Sequence, residues 1–469
     1  MIVGVAGIAW YANRKLTQRS VHVDVHELQH CQLPDDTLFP LLQPHLISIA
    51  ELAQDRGYSS VLHLVQAMIG VQPTCDMALE IWPPAFETYN LILPGFLNFP
   101  ELLLPPTLSG AAPKELVSIA MYASSKANGC AYCTAHTCSF ALRRGVDPQV
   151  LGNILRHVQE KGNKSESDPS QNTRQAVVKV AYGVGTVPAT LQPADVQDIY
   201  DAMKNQSHVE WIVAAAAMFG AYNKFMDGLG IPLEDGAYAE TKAVMDQDIR
   251  QFEAGKAGSM LPKEPSLSPI PPKDDWKLIL ACLVQGVRPG GALALDKRLH
   301  GDTPNDKAGC LQYLRNRFGT DFGLVIDHLH NLRLIRTMTA IITKNMDDGN
   351  SAGLCLSRKV VAGMAFCDVL ENPRLAKELE AMAAKFPPTP SERDSEEEKE
   401  RMKLLLKVTK ALSYTPNRVT PALVKQLREK EHLISAQMLV ELVAFLAIVQ
   451  LLHRFETFFH VGTDVIHVK

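Results

Sequence analysis

Nowhere in the sequence does a basic run alternate with aromatic residues, and 47 Lys and Arg against 51 Asp and Glu leave a net charge of only −4. Both absences argue against nucleic acid as a partner. A membrane span is also missing at the start. The opening apolar stretch "MIVGVAGIAWYA" is about a dozen residues long, where a spanning helix needs about 20. A cleavable leader would carry its positive charge before the apolar core, whereas Asn13, Arg14 and Lys15 follow it. A soluble intracellular protein without a membrane partner is therefore expected. A disulfide framework is missing as well. The nine cysteines are odd in number and, outside one stretch, far apart in apolar surroundings, which suits buried thiols in a reducing compartment.

What is there is apolar and helical. At 469 residues and 46% hydrophobic, the chain can bury large cores and is too long for one ordinary domain. Strand signals are few. "EWIVAAAAMFGAYNKFMDGLG" and "AQMLVELVAFLAIVQLLHRFETFF" contain no proline, exceed strand length and read as core helices, giving an all-α class. The Pro- and Ser-rich segment 253–275 reads as an interdomain linker, and the polar stretches 160–173 and 385–401 read as surface loops. In "RDSEEEKERMK" the acids come first, as a helix dipole prefers, and a solvated helix face is expected.

The outer loops stand at matching points of two halves, which prompts a search for a repeat. A shift of 222 residues lays "KELVSIAMYASSKANGCAYCTAH" over "RTMTAIITKNMDDGNSAGLCLSR", with Asn128 on Asn350 and Cys133 on Cys355. Beyond the polar loop the shift becomes 228, placing Pro188 on Pro416 and Pro193 on Pro421. Further on, Asn223-Lys224-Phe225 faces His453-Arg454-Phe455. The chain reads as a tandem duplication: an N-terminal helical extension (1–85) packing on the first unit, that unit (86–252), the linker (253–275) and a second unit (276–469). Ala352 and Arg358 stand in the second copy where Cys130 and His136 stand in the first.

The densest chemistry is "NGCAYCTAHTC", Asn128 to Cys138. Zinc would need converging ligands, but on a helix at about 100° per residue Cys138 points away from Cys130, Cys133 and His136. No second Cys-x-x-Cys completes a split site, so no metal is expected and Cys138 reads as a buried structural thiol. A redox pair suits the geometry better. Asn128 is a candidate N-cap and Gly129 permits a sharp entry, which places Cys130 and Cys133 in the first turns of a helix. The positive end of that helix favours thiolate. His136, one turn on, can take and return the proton. The competing reading is a small-residue helix that holds buried cysteines.

"ELVSIAMYASSKANGCAYCTAHT", followed by "GTVPATLQPADVQDI" and "VAAAAMFGAYNKFMDGLGIPLE", resembles the carboxymuconolactone decarboxylase and alkylhydroperoxidase AhpD-like family over roughly Phe86 to Glu234. The resemblance implies an all-α helical unit that commonly assembles into oligomers, here two bundles about a pseudo-two-fold axis, the second degenerate. It implies a peroxidase or disulfide reductase without a cofactor, acting on hydroperoxides or disulfides. Cys133 would be the attacking thiolate, Cys130 the resolving thiol, and His136 with Glu115 the proton relay, with an external dithiol as reductant. The family's histidine follows the second cysteine by four residues, where Thr137 stands here, and its glutamate precedes the first by twelve, where Ser118 stands. An extra partial turn near "YASSKA" is expected to return Glu115 to His136, and Thr137 to donate a hydrogen bond in place of the displaced imidazole. Two other readings remain, a lyase like the family's founding members, which do not depend on a cysteine pair, and a non-enzymatic scaffold with a vestigial motif.

Overall fold

The structure is a computed structural model that describes residues 25–30, 33–54, 57–99, 101–104, 110–154, 169–242, 244, 273, 276–287, 291–387 and 395–463. The N-terminal apolar stretch lies outside the described residues, as does all of the 253–275 segment except Lys273. Helices make up the fold, and no strand occurs among the described residues.

In the first half these are α1 (Ser59–Ile69), α2 (Pro83–Phe96), α3 (Lys114–Ala127), α4 (Ala131–Arg143), α5 (Pro169–Gly185), α6 (Pro193–Met203) and α7 (Gln206–Leu229). In the second they are α8 (Trp276–Val287), α9 (Ala292–His300), α10 (Lys307–Phe318), α11 (Leu332–Met346), α12 (Leu356–Val369), α13 (Pro373–Lys385), α14 (Glu396–Ser413), α15 (Pro421–Glu429) and α16 (Ala436–Val461).

The two helices that read as core are the centre of the molecule. Asn205 caps the start of α7, its side chain accepting from His208 N–H at 3.2 Å, and Gly230 ends the helix in the left-handed region at φ +70°. Ser435 caps α16 in the same way through Met438 N–H. Helices apolar on every face must be buried on every face. Here α7 and α16 make the most extensive helix pairing among the described elements, with α3 and α5 against α7 and α12 and α11 against α16. α16 is long and apolar enough to cross a membrane, yet 94% of its most apolar window is buried inside the protein. It also carries Glu441, Gln450, His453, Arg454 and Glu456 into the interior.

Local features recur along the two halves. Asp147 caps a short helix that begins at Pro148, and Asn372 caps α13, which begins at Pro373. Thr190 N–H donates to Gly183 O at 3.0 Å, and Arg418 N–H to Ala411 O at 2.8 Å. α6 and α15 both begin at a proline. The register near the cysteines differs from the 222-residue shift. α3 and α11 start 218 residues apart, at Lys114 and Leu332, whereas α4 and α12 start 225 apart, at Ala131 and Leu356. A longer loop before α12, holding the 3-10 turn Asp348–Asn350, absorbs the difference. Cys355 thereby becomes the residue before α12, the place Cys130 holds before α4.

The halves interlock rather than hang on the linker. α2 packs on α11, with Trp82 Nε1 donating to Asn350 O at 2.9 Å and Asn345 Nδ2 to Thr88 Oγ1 at 2.8 Å. α8 packs on α1 in return. The acidic start of α14 is capped by Ser395. Glu398 is not solvated, however; it turns inward and holds Arg358 at 2.6 Å.

Candidate active site

The motif sits where α3 ends and α4 begins. Asn128 is the C-cap of α3 and not the N-cap of α4. Gly129 follows at φ +70°, a conformation that glycine adopts freely. Cys130 is itself the N-cap, its Sγ accepting from Cys133 N–H at 3.3 Å. The expected entry is thus shifted by two residues, and Asn128 is free to accept a hydrogen bond from elsewhere. Cys130 and Cys133 are side-chain hydrogen-bond neighbours, each 2% exposed.

Burial reverses the expected ionisation. The Cys133 thiol is pushed well above its ordinary value, first by desolvation and then by the hydrogen bond and charge of Cys130. The helix end favours thiolate by a fraction of a charge, and complete removal from water opposes it more strongly. Cys138 is fully buried and pushed up by the same cause.

His136 has an acid partner, and it is not Glu115. Nε2 of His136 lies 2.8 Å from Glu234 Oε2, just beyond the end of α7. Glu234 Oε1 accepts from the Tyr132 hydroxyl at 2.7 Å and from Thr74 N–H. Burial would raise this carboxyl, but the charge and hydrogen bond of His136, with the Thr74 and Tyr132 donors, hold it below the usual carboxylate range. An ionised Glu234 can only accept, so Nε2 carries a proton, and in the neutral imidazole Nδ1 is the acceptor. Nδ1 is buried and has no partner.

Glu115 is elsewhere. α3 runs unbroken through "YASSKA", so no extra turn brings the carboxylate back, and Glu115 pairs with Arg174 on the surface at 2.8 Å. Ser118 and Thr137 are likewise engaged within their own helices. Ser118 Oγ donates to Lys114 O at 2.6 Å, and Thr137 Oγ1 to Cys133 O at 2.7 Å. A helical hydroxyl finds the carbonyl one turn back before it finds a thiol.

A cavity of about 50 Å³ opens on Cys133 and His136 together, walled by apolar side chains and by Tyr89, Tyr132 and Tyr222. Space of that size admits a few waters or the reacting end of a small organic molecule. No family model, curated protein or solved structure matches this chain. A third thiol, Cys75, is buried beside Asp76 and pushed up by that burial and by the charges of Asp76 and Glu234. Its neighbour Asp76, held by Gln72 at 2.6 Å, is raised by burial and by the Glu234 charge. None of the described cysteines is in a disulfide, and the described residues hold no group of three or more His, Cys, Asp or Glu placed to bind a metal ion.

Sequence reasoning brings together three of its four site residues, Cys130, Cys133 and His136, because their spacing within two helix turns is local. It misses Glu234 and Tyr132. Tyr132 lies inside the motif without a catalytic spacing of its own. Glu234 stands 98 residues from His136, and only its place just past a helix-ending Gly-Ile-Pro marks it.

Proposed function

We propose that the protein is a thiol-dependent oxidoreductase that reduces small apolar hydroperoxides or disulfides at Cys133. The observation that carries this is the shared apolar cavity at Cys133 and His136, with His136 Nδ1 unpartnered and Nε2 anchored on Glu234. Nδ1 accepts the Cys133 proton. The thiolate attacks the distal oxygen of the hydroperoxide, forming S–O as O–O breaks, and the imidazolium protonates the departing alkoxide. Cys130 then attacks the sulfenic sulfur, the disulfide forms and water leaves, so two electrons pass from two thiols to the peroxide. A low-molecular-weight or protein dithiol in a reducing intracellular compartment would restore the pair. The raised Cys133 thiol makes His136 essential in this scheme, since few thiolates form without a base.

In the same reading the chain is a tandem pair of AhpD-like units related by a pseudo-two-fold axis. The α7–α16 pairing would stand in for the dimer contact of single-copy relatives. Its support is the recurrence of helix caps and of the Thr190–Gly183 and Arg418–Ala411 hydrogen bonds. Reciprocal contacts add to it. Lys224 Nζ of α7 donates to Leu412 O at 2.6 Å in the second half, and Arg454 of α16 donates to Gly185 O at 3.2 Å in the first.

The scaffold reading draws on one observation, the near-complete burial of both thiols. A Cys130→Ser variant separates the two. After cumene hydroperoxide, dimedone labelling with mass spectrometry should find a sulfenic acid on Cys133. An unmodified Cys133 would rule out the oxidoreductase and leave the scaffold and the lyase.

A further inference from the structure

The second half of the chain has lost the cysteine pair, yet one of its side chains ends at the motif of the first half. Arg454, on α16, is fully buried. Its Nη1 donates to Ser124 Oγ at 2.5 Å and to Ala216 O at 2.9 Å. Its Nη2 donates to Asn128 Oδ1 at 3.0 Å and to Gly185 O at 3.2 Å. All four acceptors belong to the first half, and none is a carboxylate. Among the described residues no Asp or Glu lies within ion-pair distance of this guanidinium. A buried cation is normally paired, because its desolvation is costly.

The site is built around the group. A methyl added at Gly220 would stand 2.6 Å from Arg454 Cδ and Nε, so the absence of a side chain there makes the room. Around Cys133 stand Cys130 at the N-cap and His136 on its own helix, Cys75 before α2, Tyr222 and Asp227 on α7, and Arg454 on α16, while Lys224 of α7 acts on Cys130. Of the groups around Cys133 only Arg454 carries a permanent positive charge. Burial draws its pKa down to about 9, and the influence that opposes this is the charge of a Cys133 thiolate. The pseudo-equivalent Lys224 donates the other way, to Leu412 O and Tyr414 O, although its charge also reaches Cys130.

We infer that Arg454 is a positioning residue for the Cys130–Cys133 pair: it fixes the entry loop through Asn128 and supplies, from the second half, the positive charge that meets the Cys133 thiolate. The inference rests on the thiol chemistry proposed above, and it gives the degenerate half a role in that chemistry. The first half alone would hold the thiols, the base, its carboxylate and Lys224, whose charge reaches Cys130, without the cation that meets Cys133.

The test compares Arg454→Gln, which keeps hydrogen-bond donors and removes the charge, with Arg454→Lys, which keeps the charge. Iodoacetamide alkylation of Cys133 is followed peptide by peptide across pH in the full chain. The midpoint should rise by about one unit or more in Arg454→Gln, with a roughly tenfold slower rate near neutral pH, and by less than half as much in Arg454→Lys. A midpoint unmoved in Arg454→Gln, or equal shifts in both variants, would overturn the electrostatic role. If Arg454→Gln does not fold, Gly220→Ala displaces the guanidinium without removing it. The same rise is then expected, and an unchanged midpoint in that variant overturns the inference. Alkylation needs no peroxide turnover, so the two proposals fail separately. Peroxide turnover with an unmoved midpoint sinks this inference alone. A raised midpoint in Arg454→Gln, with Cys133 inert to peroxide, sinks the oxidoreductase reading alone.

Discussion

His136 sits between a carboxylate and an empty acceptor position, and which of its nitrogens carries the proton decides what it can do. Because Glu234 is held ionised, Nε2 carries a proton, and in the neutral ring the lone pair stays on Nδ1 of a side chain that lines the same cavity as Cys133. Glu234→Gln removes that constraint: the amide can donate to Nε2, and the proton moves to Nδ1. Peroxide turnover should fall by about 10² or more, whereas Glu115→Gln, which only frees Arg174 on the surface, should stay within about twofold of the parent. Equal losses in steady-state turnover would return the relay to Glu115. The raised Cys133 thiol has its own signature. The unfolded chain ionises this thiol at ordinary values, about 8.5, while the folded chain keeps it protonated. Above that pH the unfolded state therefore binds fewer protons, and stability declines as pH rises. Cys133→Ser should lessen the drop in urea midpoint between pH 8 and pH 10, and an identical drop would contradict the burial argument.

At the scale of elements, the helices that were legible are those whose pattern is local. α7 and α16 announce themselves by length and uniform apolarity, and α14 by Ser395 and three leading acids. The start of α4 was misplaced by two residues because Asn is the commoner cap and a cysteine sulfur a rare one. Nothing local reveals that Asn128 belongs to the end of α3, since its partner Arg454 is 326 residues away. The order of features that suggests a repeat was legible, but the helix starts beside the cysteines needed the loop before α12, whose extra residues carry no pattern. The same limit hid the pair that fills the second half. Lys359 and Glu441 are 2.7 Å apart with no exposure at all. Glu441 also accepts from Ala352 N–H at 2.9 Å and so pins that longer loop. Lys359→Met leaves the carboxylate buried without its cation, and a loss of about 3–5 kcal/mol is expected from urea denaturation. A change within about 1 kcal/mol would mean that the loop moves to hydrate Glu441.

Over the whole molecule, the pattern of burial decides whether the halves are two bodies or one. Autonomous domains bury their own cores and meet over modest, partly polar faces. Here the two most apolar helices lie against each other, α2 of the first half covers α11 of the second, and α8 of the second covers α1 of the first. Each half separated from the other would expose an apolar face far larger than a soluble monomer tolerates, and the first would lose Arg454 from its cysteine loop. A duplication, as proposed above, would therefore not imply independence; it would carry a dimer's interface on one chain. The consequence is measurable without the 253–275 segment. Residues 1–252 and 276–469, produced together as separate chains, should assemble one to one and co-purify through dilution to nanomolar concentration. Produced singly, each should aggregate. Denaturation of the intact chain, followed by both tryptophan fluorescence and far-ultraviolet circular dichroism, should show one coincident transition. Two separated transitions, or a second half that is soluble and folded by itself, would mean that the halves are neighbours and that the cation beside Cys133 arrives only after each has folded.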